Sequence, residues 1–208
     1  MQLKDYIPWV DKKHRKVFFS GIAFDSSKVI KDNIFFAIKG NKFDGNNYIN
    51  SAIKRGAKVI ISEKKKFKNI KNIIFITSKN ARKLLANTSF KILNKKPKNL
   101  IAVTGTNGKS SVADFYYQIL ELNSKKVASI GTIGVRCKDY KKNLENTTLD
   151  PIRLSYLLKD LNKKKIEYVI MEASSHGLKQ NRLDGLLFDM GIFTNLSHDH
   201  LDYHNNMN

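Results

Sequence analysis

Three polar clusters, each directly behind an apolar run, hold the residues best suited to chemistry. The first is Ile101-Ala102-Val103-Thr104-Gly105-Thr106-Asn107-Gly108-Lys109-Ser110-Ser111. A strand that breaks into a glycine-containing turn ahead of a helix surrounds phosphate oxygens with backbone N–H groups and the positive helix end. Lys109 can neutralise charge on a transferring phosphoryl group, and the Ser110 hydroxyl can ligate Mg²⁺. The usual G-x-x-x-x-G-K-[ST] loop has four residues between its glycines. Only two separate Gly105 from Gly108, so spacing alone marks a shortened phosphate loop and not yet an ATP site.

The second cluster, Glu172-Ala173-Ser174-Ser175-His176-Gly177, follows the apolar run Tyr168-Val169-Ile170-Met171. A carboxylate beside a phosphate loop can hold Mg²⁺ directly or through water. Ser174-Ser175-His176 lacks the G-x-S-x-G elbow of a hydrolase. The third cluster runs from Asn195 to His204 behind Phe188–Phe193. His198, Asp199, His200, Asp202 and His204 are suitable transition-metal ligands, but no HExxH helix or cysteine accompanies them. The reading favoured instead is one histidine on Mg²⁺, with the others orienting loops or facing solvent. Cys137 has no catalytic partner set by sequence and reads as a buried or incidental thiol.

The elements that must position these clusters alternate strand and helix. Strand material is expected at 17–19, 22–24, 33–38, 59–61, 73–76, 100–103, 128–130, 168–171 and 188–193, with helices over 48–55, 80–93, 110–122 and 154–161. Strands spaced by helices and apolar throughout point to parallel sheets buried on both faces. Open α/β sheets bind ligands beyond their strand ends, which is where the clusters sit. The polar, proline-interrupted stretch 94–99 reads as a linker, giving domains 1–97 and 98–208. The fold class expected is α/β: a small N-terminal α/β domain, then a parallel-sheet, P-loop NTPase-like central domain. With no closing helix after the third cluster, the second domain is expected to be truncated.

Composition narrows the function. The formal charge is +20, and lysine supplies 32 of the 38 basic residues. Most lysines fall in expected turns or at helix ends beside asparagine. No basic stripe interleaves with stacking aromatics, so a nucleic-acid partner is not expected. No apolar run approaches the roughly 18 residues of a membrane span. A lone cysteine forms no internal disulfide and suits a reducing, cytoplasmic compartment.

Taken together, the shortened loop, Met171-Glu172-Ala173-Ser174-Ser175-His176-Gly177-Leu178 with Gln180 and Arg182, and Phe193-Thr194-Asn195-Leu196 with Asp199-His200-Leu201-Asp202-Tyr203-His204 resemble the Mur ligases of peptidoglycan assembly. The resemblance covers essentially the whole chain. It is strongest to the branch that adds the third amino acid, meso-diaminopimelate or L-lysine, to UDP-N-acetylmuramoyl-L-alanyl-D-glutamate. It implies that residues 1–97 form a UDP-substrate domain and that ATP and Mg²⁺ are the cofactors. The chain is then expected to be monomeric, with the UDP-muramoyl dipeptide and a free amino acid as partners. By the same resemblance Gly105, Thr106, Asn107, Gly108, Lys109, Ser110 and Ser111 hold ATP phosphates. Ser110, Glu172 and His200 are associated with Mg²⁺, and Lys109, Glu172 and His200 form the catalytic set. Phe24, Ser26, Asn41, Lys42 and Phe43 match UDP-sugar contacts. Asn146, Thr147, Thr148, Ser174, Gln180 and Arg182 match contacts to the muramoyl peptide.

Three positions depart from the family pattern: Ser27-Lys28 where Asp-Ser is normally followed by arginine, Leu149 in place of a proline, and His198 in place of an arginine. The family's carbamylated lysine and C-terminal domain would follow Asn208. The 208-residue chain is therefore expected to bind UDP-substrate at best, with little ligase activity. A non-catalytic module for UDP-muramoyl peptide and a different Mur-type ligase are the alternatives.

Overall fold

Residues 34–37 and 59–61 are apolar on successive residues, a pattern that suits a strand covered on both faces. The computed structural model describes residues 1–40, 43–64, 70–93, 95–138 and 140–197, and both segments are buried strands there. The chain divides into two compact units, Met1–Lys91 and the residues from Ile92 onward. The division falls in the last turn of a helix, ahead of Pro97. Pro97 is buried, and Lys96 Nζ donates to the Leu187 carbonyl at 2.8 Å, which ties this segment to the second unit.

The first unit is built on four parallel strands in the order β1 (Ile22–Ala23), β2 (Asn33–Ala37), β3 (Ala57–Ser62) and β4 (Ile74–Thr77). The short helix α1 (Leu3–Tyr6) precedes them, α2 (Ile49–Lys54) connects β2 to β3, and α3 (Ala81–Ile92) follows β4. Phe35 and Ile60 centre a core with Ala23, Val29, Ala52 and Ala57. Residues 17–19, expected as a strand, make only an isolated antiparallel bridge between Phe18 and Gln2. The Phe19 amide donates to the Met1 carbonyl and the Leu3 amide to the Val17 carbonyl. The segment therefore ties down the N-terminus instead of joining the sheet, and Phe18 is 60% exposed.

In the second unit the strands are β5 (Asn99–Thr104), β6 (Val127–Gly131), β7 (Gly134–Cys137), β8 (Tyr140–Lys142), β9 (Tyr168–Glu172) and β10 (Met190–Phe193). Their order is β10-β5-β9-β6-β7-β8. The first four are mutually parallel, whereas β6, β7 and β8 run antiparallel. This hairpin extends the expected parallel sheet and takes Cys137 into a buried position.

Helix α4 (Lys109–Leu122) follows β5 and packs Val112, Ala113 and Tyr116 against Ile101, Val103 and Ile170. Helix α5 (Pro151–Lys163) opens on Asp150, whose carboxylate accepts from the Arg153 amide at 2.9 Å, with proline at its first position. The short helix α6 (Ser175–Lys179) follows β9. Because β6, β9, β5 and β10 are parallel, their C-terminal ends share one edge, and the three clusters emerge there.

Candidate functional site

The backbone turns sharply after β5. Gly105 has φ +135°, and a Cβ there would lie 2.1 Å from Thr194 Oγ1, so only glycine fits. The segment after β10 grips the loop. Thr194 Oγ1 and Asn195 Nδ2 both donate to the Asn107 carbonyl, at 2.7 and 3.2 Å, and the Asn107 amide donates to Asn195 Oδ1 at 3.0 Å. The Thr106 amide donates to the Asn195 carbonyl at 2.9 Å, and the Ser197 amide to Thr106 Oγ1 at 2.9 Å. The Lys109 ammonium folds back onto the loop, donating to the carbonyls of Gly105 (2.7 Å) and Thr106 (2.8 Å). Gly108 caps α4, and Lys109, Ser110 and Ser111 form its first turn, whose amides have no acceptor within the helix. Loop amides, a helix start and an ammonium suit a polyphosphate.

Glu172 ends β9 opposite Val103 of β5 and is 3% exposed. A buried carboxylate requires donors, and three are present. Ser110 Oγ donates to Oε2 at 3.0 Å, the Thr132 amide to Oε1 at 2.9 Å, and Thr132 Oγ1 to Oε2 at 3.1 Å. The carboxylate occupies the space that a side chain at residue 131 would fill: a Cβ on Gly131 would lie 2.1 Å from Oε1. Ser110, Glu172 and Thr132 together form an all-oxygen donor set, which fits a hard cation such as Mg²⁺.

Behind Glu172 lies a second network. Thr148 Oγ1 donates to the Glu172 carbonyl at 3.0 Å and accepts from the Ser174 amide at 3.0 Å, and it also lies 3.0 Å from Ser174 Oγ. Ser174 Oγ caps α6 by accepting from the Gly177 amide at 3.1 Å. Arg182 donates to the Thr148 carbonyl through Nη1, and to Gln180 Oε1 through Nε (3.1 Å) and Nη2 (2.9 Å). Thr147 Oγ1 lies 3.0 Å from Thr132 Oγ1, which joins the two networks. Five of the expected peptide contacts, Thr147, Thr148, Ser174, Gln180 and Arg182, therefore converge, with Asn146 exposed beside them.

In the first unit, Phe24 and Ser26 follow β1, and Phe43 lies in the segment after β2, so they come from the C-terminal ends of adjacent parallel strands. Phe24 and Phe43 are exposed. Asp25 caps the 3-10 turn Ser26–Lys28, accepting from the Ser27 hydroxyl at 2.7 Å and the Ser27 amide at 2.9 Å. These two hydrogen bonds, helped by the charges of Lys28 and Arg55, hold the Asp25 carboxyl below the usual carboxylate range against the opposing effect of burial. Ser27, one of the departures from the family pattern, thus has a defined role.

Asn41, Lys42, His198, Asp199, His200, Asp202 and His204 lie outside the described residues, and among the described ones no group of three His, Cys, Asp or Glu side chains could hold a metal. Sequence reasoning gave no role to Thr132, and none beyond motif membership to Thr194 and Asn195. The segment Gly131-Thr132 directly behind an apolar strand was the available signal.

Two family models match this chain: "Mur ligase family, catalytic domain" over residues 19–101 and "Mur ligase middle domain" over 103–208. A UDP-N-acetylmuramoyl-L-alanyl-D-glutamate--2,6-diaminopimelate ligase of Buchnera aphidicola subsp. Schizaphis graminum is 41% identical over 208 residues, spanning 96% of this chain and 42% of the relative. The ligase of the same name from Rickettsia conorii is 45% identical over 184 residues, 86% of this chain and 38% of the relative. A solved structure of a ligase with that name superposes with TM-score 0.84 at 29% identity, covering all of this chain and 42% of that one. The fold also matches a MurF ligase from Thermotoga maritima, solved in complex with ADP, at TM-score 0.56 and 23% identity. The chain spans about two fifths of the length of these relatives. With the middle-domain model matching residues 103–208, just over half of the chain, and the catalytic-domain model residues 19–101, the chain belongs to the Mur ligase family.

Proposed function

We propose that this chain is the substrate- and nucleotide-holding part of an ATP-dependent ligase that extends UDP-N-acetylmuramoyl-L-alanyl-D-glutamate by one amino acid. The observation that carries the reading is the convergence of Ser110, Thr132 and Glu172 beside the clamped phosphate loop. The matched relatives are named for 2,6-diaminopimelate, which we take as the incoming amino acid in preference to L-lysine. On this reading the first unit holds the UDP-sugar through Phe24, Ser26 and the segment 41–43. Thr147, Thr148, Ser174, Gln180 and Arg182 hold the muramoyl peptide, with Asn146 at their margin. The reading also places the protein in the cytoplasm as a monomer. Among the described residues no helix is long and apolar enough to cross a membrane.

The reaction proceeds in two transfers. An oxygen of the free D-glutamyl carboxylate attacks the γ-phosphorus of ATP, and ADP leaves. The amine nitrogen of the incoming amino acid then attacks the acyl carbon, loses a proton and expels inorganic phosphate, leaving the amide. Bound Mg²⁺ would supply charge neutralisation at the phosphates, held by Ser110 and Glu172, with His200 as a further proposed ligand. The loop amides orient the polyphosphate, and Lys109, released from its own loop carbonyls, meets the charge that builds on the transferring group. Arg182 presents a planar fork suited to a carboxylate or phosphate of the substrate. Positioning and electrostatics carry the catalysis.

Separate titrations of the chain with Mg-ATP and with UDP-muramoyl-dipeptide test this function. Saturable binding of both is expected, with nucleotide binding lost in Lys109→Ala and UDP-substrate binding weakened in Ser26→Ala. Binding of UDP-substrate without any nucleotide binding would favour a non-catalytic recognition module.

A further inference from the structure

The first unit contains a cavity of about 1000 Å³ whose described lining includes none of Phe24, Ser26 and Phe43, the described candidate UDP contacts. One wall is the N-terminal segment, with Tyr6, Pro8 and Trp9; the opposite wall is α3, with Lys83, Leu84 and Lys91. The remaining side comes from the C-terminal ends of β3 and β4, through Glu63, Thr77, Ser78 and Lys79. Phe24, Ser26 and Phe43 instead follow β1 and β2. We propose that this cavity is a second ligand site, for a small molecule that joins a planar aromatic body to an anionic group. The inference is independent of the ligase reading.

The aromatic half of the argument rests on Trp9 and Tyr6. Trp9 is the only tryptophan in the chain and is 57% exposed, although tryptophan is usually well buried. It stands on a concave wall, where an exposed indole face can be covered by a flat ligand. Tyr6 is held in place beside it. Phe19 meets its ring edge-on, with centroids 5.2 Å apart and planes at 82°, and Lys91 Nζ sits 5.6 Å from the Tyr6 centroid. A wall fixed in this way needs little reorganisation to receive a ring.

The anionic half rests on charge. Among the described residues, Lys79, Lys83 and Lys91 line the cavity against one carboxylate, Glu63, and Lys91 Nζ also donates to the Asp5 carbonyl. Glu63 Oε1 accepts from the Ala81 amide at 2.9 Å, so that carboxylate is directed at the start of α3. The excess of ammonium groups favours a negative ligand and disfavours a neutral or cationic one. The location agrees, because ligands of open parallel sheets gather at the C-terminal strand ends. The volume lies at the upper end of small-molecule sites, roughly 300–1000 Å³.

Calorimetry with 1-naphthyl phosphate as probe, alongside the fluorescence lifetime of Trp9, tests the site. One saturable site is expected, with a lifetime change that follows the same isotherm. Uncharged 1-naphthol should bind at least about tenfold more weakly, and inorganic phosphate should leave the lifetime unchanged. Lys79→Glu and Trp9→Ala should each weaken the probe by about tenfold, whereas Ser26→Ala and Lys109→Ala should leave its affinity intact. Circular dichroism of each variant separates lost binding from lost folding, and the exposed position of Lys79 makes its variant the safer of the pair. Equal affinity for 1-naphthol, indifference to Lys79→Glu, or loss of probe binding in Ser26→Ala or Lys109→Ala would overturn the proposal. UDP-substrate binding is read separately, so failure here leaves the ligase reading standing, and the reverse also holds.

Discussion

Thr132 holds both oxygens of the Glu172 carboxylate, giving its backbone amide to Oε1 at 2.9 Å and its hydroxyl to Oε2 at 3.1 Å. The hydroxyl has one proton, so the 3.0 Å contact between Thr132 and Thr147 is donated by Thr147. A directed chain results, from Thr147 through Thr132 to Glu172, which Ser110 meets from the phosphate-loop side. The segment proposed to touch the peptide is thereby linked to the carboxylate proposed to hold the cation.

Replacing Thr132 separates the two bonds. Thr132→Val keeps the amide and loses the hydroxyl, leaving a buried carboxylate one donor short. A loss of about 1–2 kcal/mol in denaturant unfolding is expected, together with weaker Mg²⁺-dependent nucleotide binding. Thr132→Ser should restore both. A valine variant that binds Mg-ATP as tightly as the parent would remove Thr132 from the site.

Gly131→Ala tests the clearance behind Glu172. The new methyl would meet Oε1 at 2.1 Å and must displace either the carboxylate or β6. The expected cost is about 1–3 kcal/mol of stability, accompanied by loss of Mg-ATP binding. Thermal unfolding and calorimetry read the two effects separately, and retention of full affinity would show that Glu172 can reorient freely.

Arg182→Lys probes the guanidinium fork. Lysine keeps the charge but cannot reach the Thr148 carbonyl and Gln180 Oε1 together as Arg182 does. Affinity for UDP-muramoyl-dipeptide should fall about tenfold, with Mg-ATP affinity unaffected. Equal affinity in the lysine variant would reduce the role of Arg182 to its charge.

Most of this architecture was legible in the chain because its parallel strands are short apolar runs followed at once by glycine or polar residues. Val59-Ile60-Ile61 and Tyr168–Met171 needed no tertiary context to be placed. The hairpin β7–β8 escaped because Gly134-Val135-Arg136-Cys137 and Tyr140-Lys141-Lys142 show neither an apolar run nor clean alternation. Residues 17–19 had strand composition but found the N-terminus as their partner. Thr132 escaped for a topological reason: its role exists only because β6 lies beside β9, and strand order leaves no mark in local sequence. The motifs announced Thr194 and Asn195, but only the pairing of β10 with β5 shows that they clamp the loop.

Asp25 gives a pH-dependent test. Its carboxyl is held below the ordinary value, so the stabilisation it provides is complete above the unfolded carboxylate pKa of about 3.9 and is lost as pH falls through the lower folded value. Ser27→Ala removes the largest cause, the hydroxyl donor, and should raise the Asp25 pKa toward the unfolded value, so that less stabilisation is present above that value and the pH window over which it is lost narrows from its acid side. Carbon NMR titration of the Asp25 carboxyl reads the shift directly, and an unchanged titration curve would place the cause elsewhere.

The strand order also constrains the sequence of events during synthesis. β5 leaves the ribosome early, yet both of its neighbours in the sheet, β9 and β10, are made later. Thr194 and Asn195, which fix the carbonyl and amide of Asn107, are among the last described residues to emerge. A nascent chain therefore carries its phosphate loop unclamped until β10 docks, and tight capture of a nucleotide has to wait until Thr194 and Asn195 have been made.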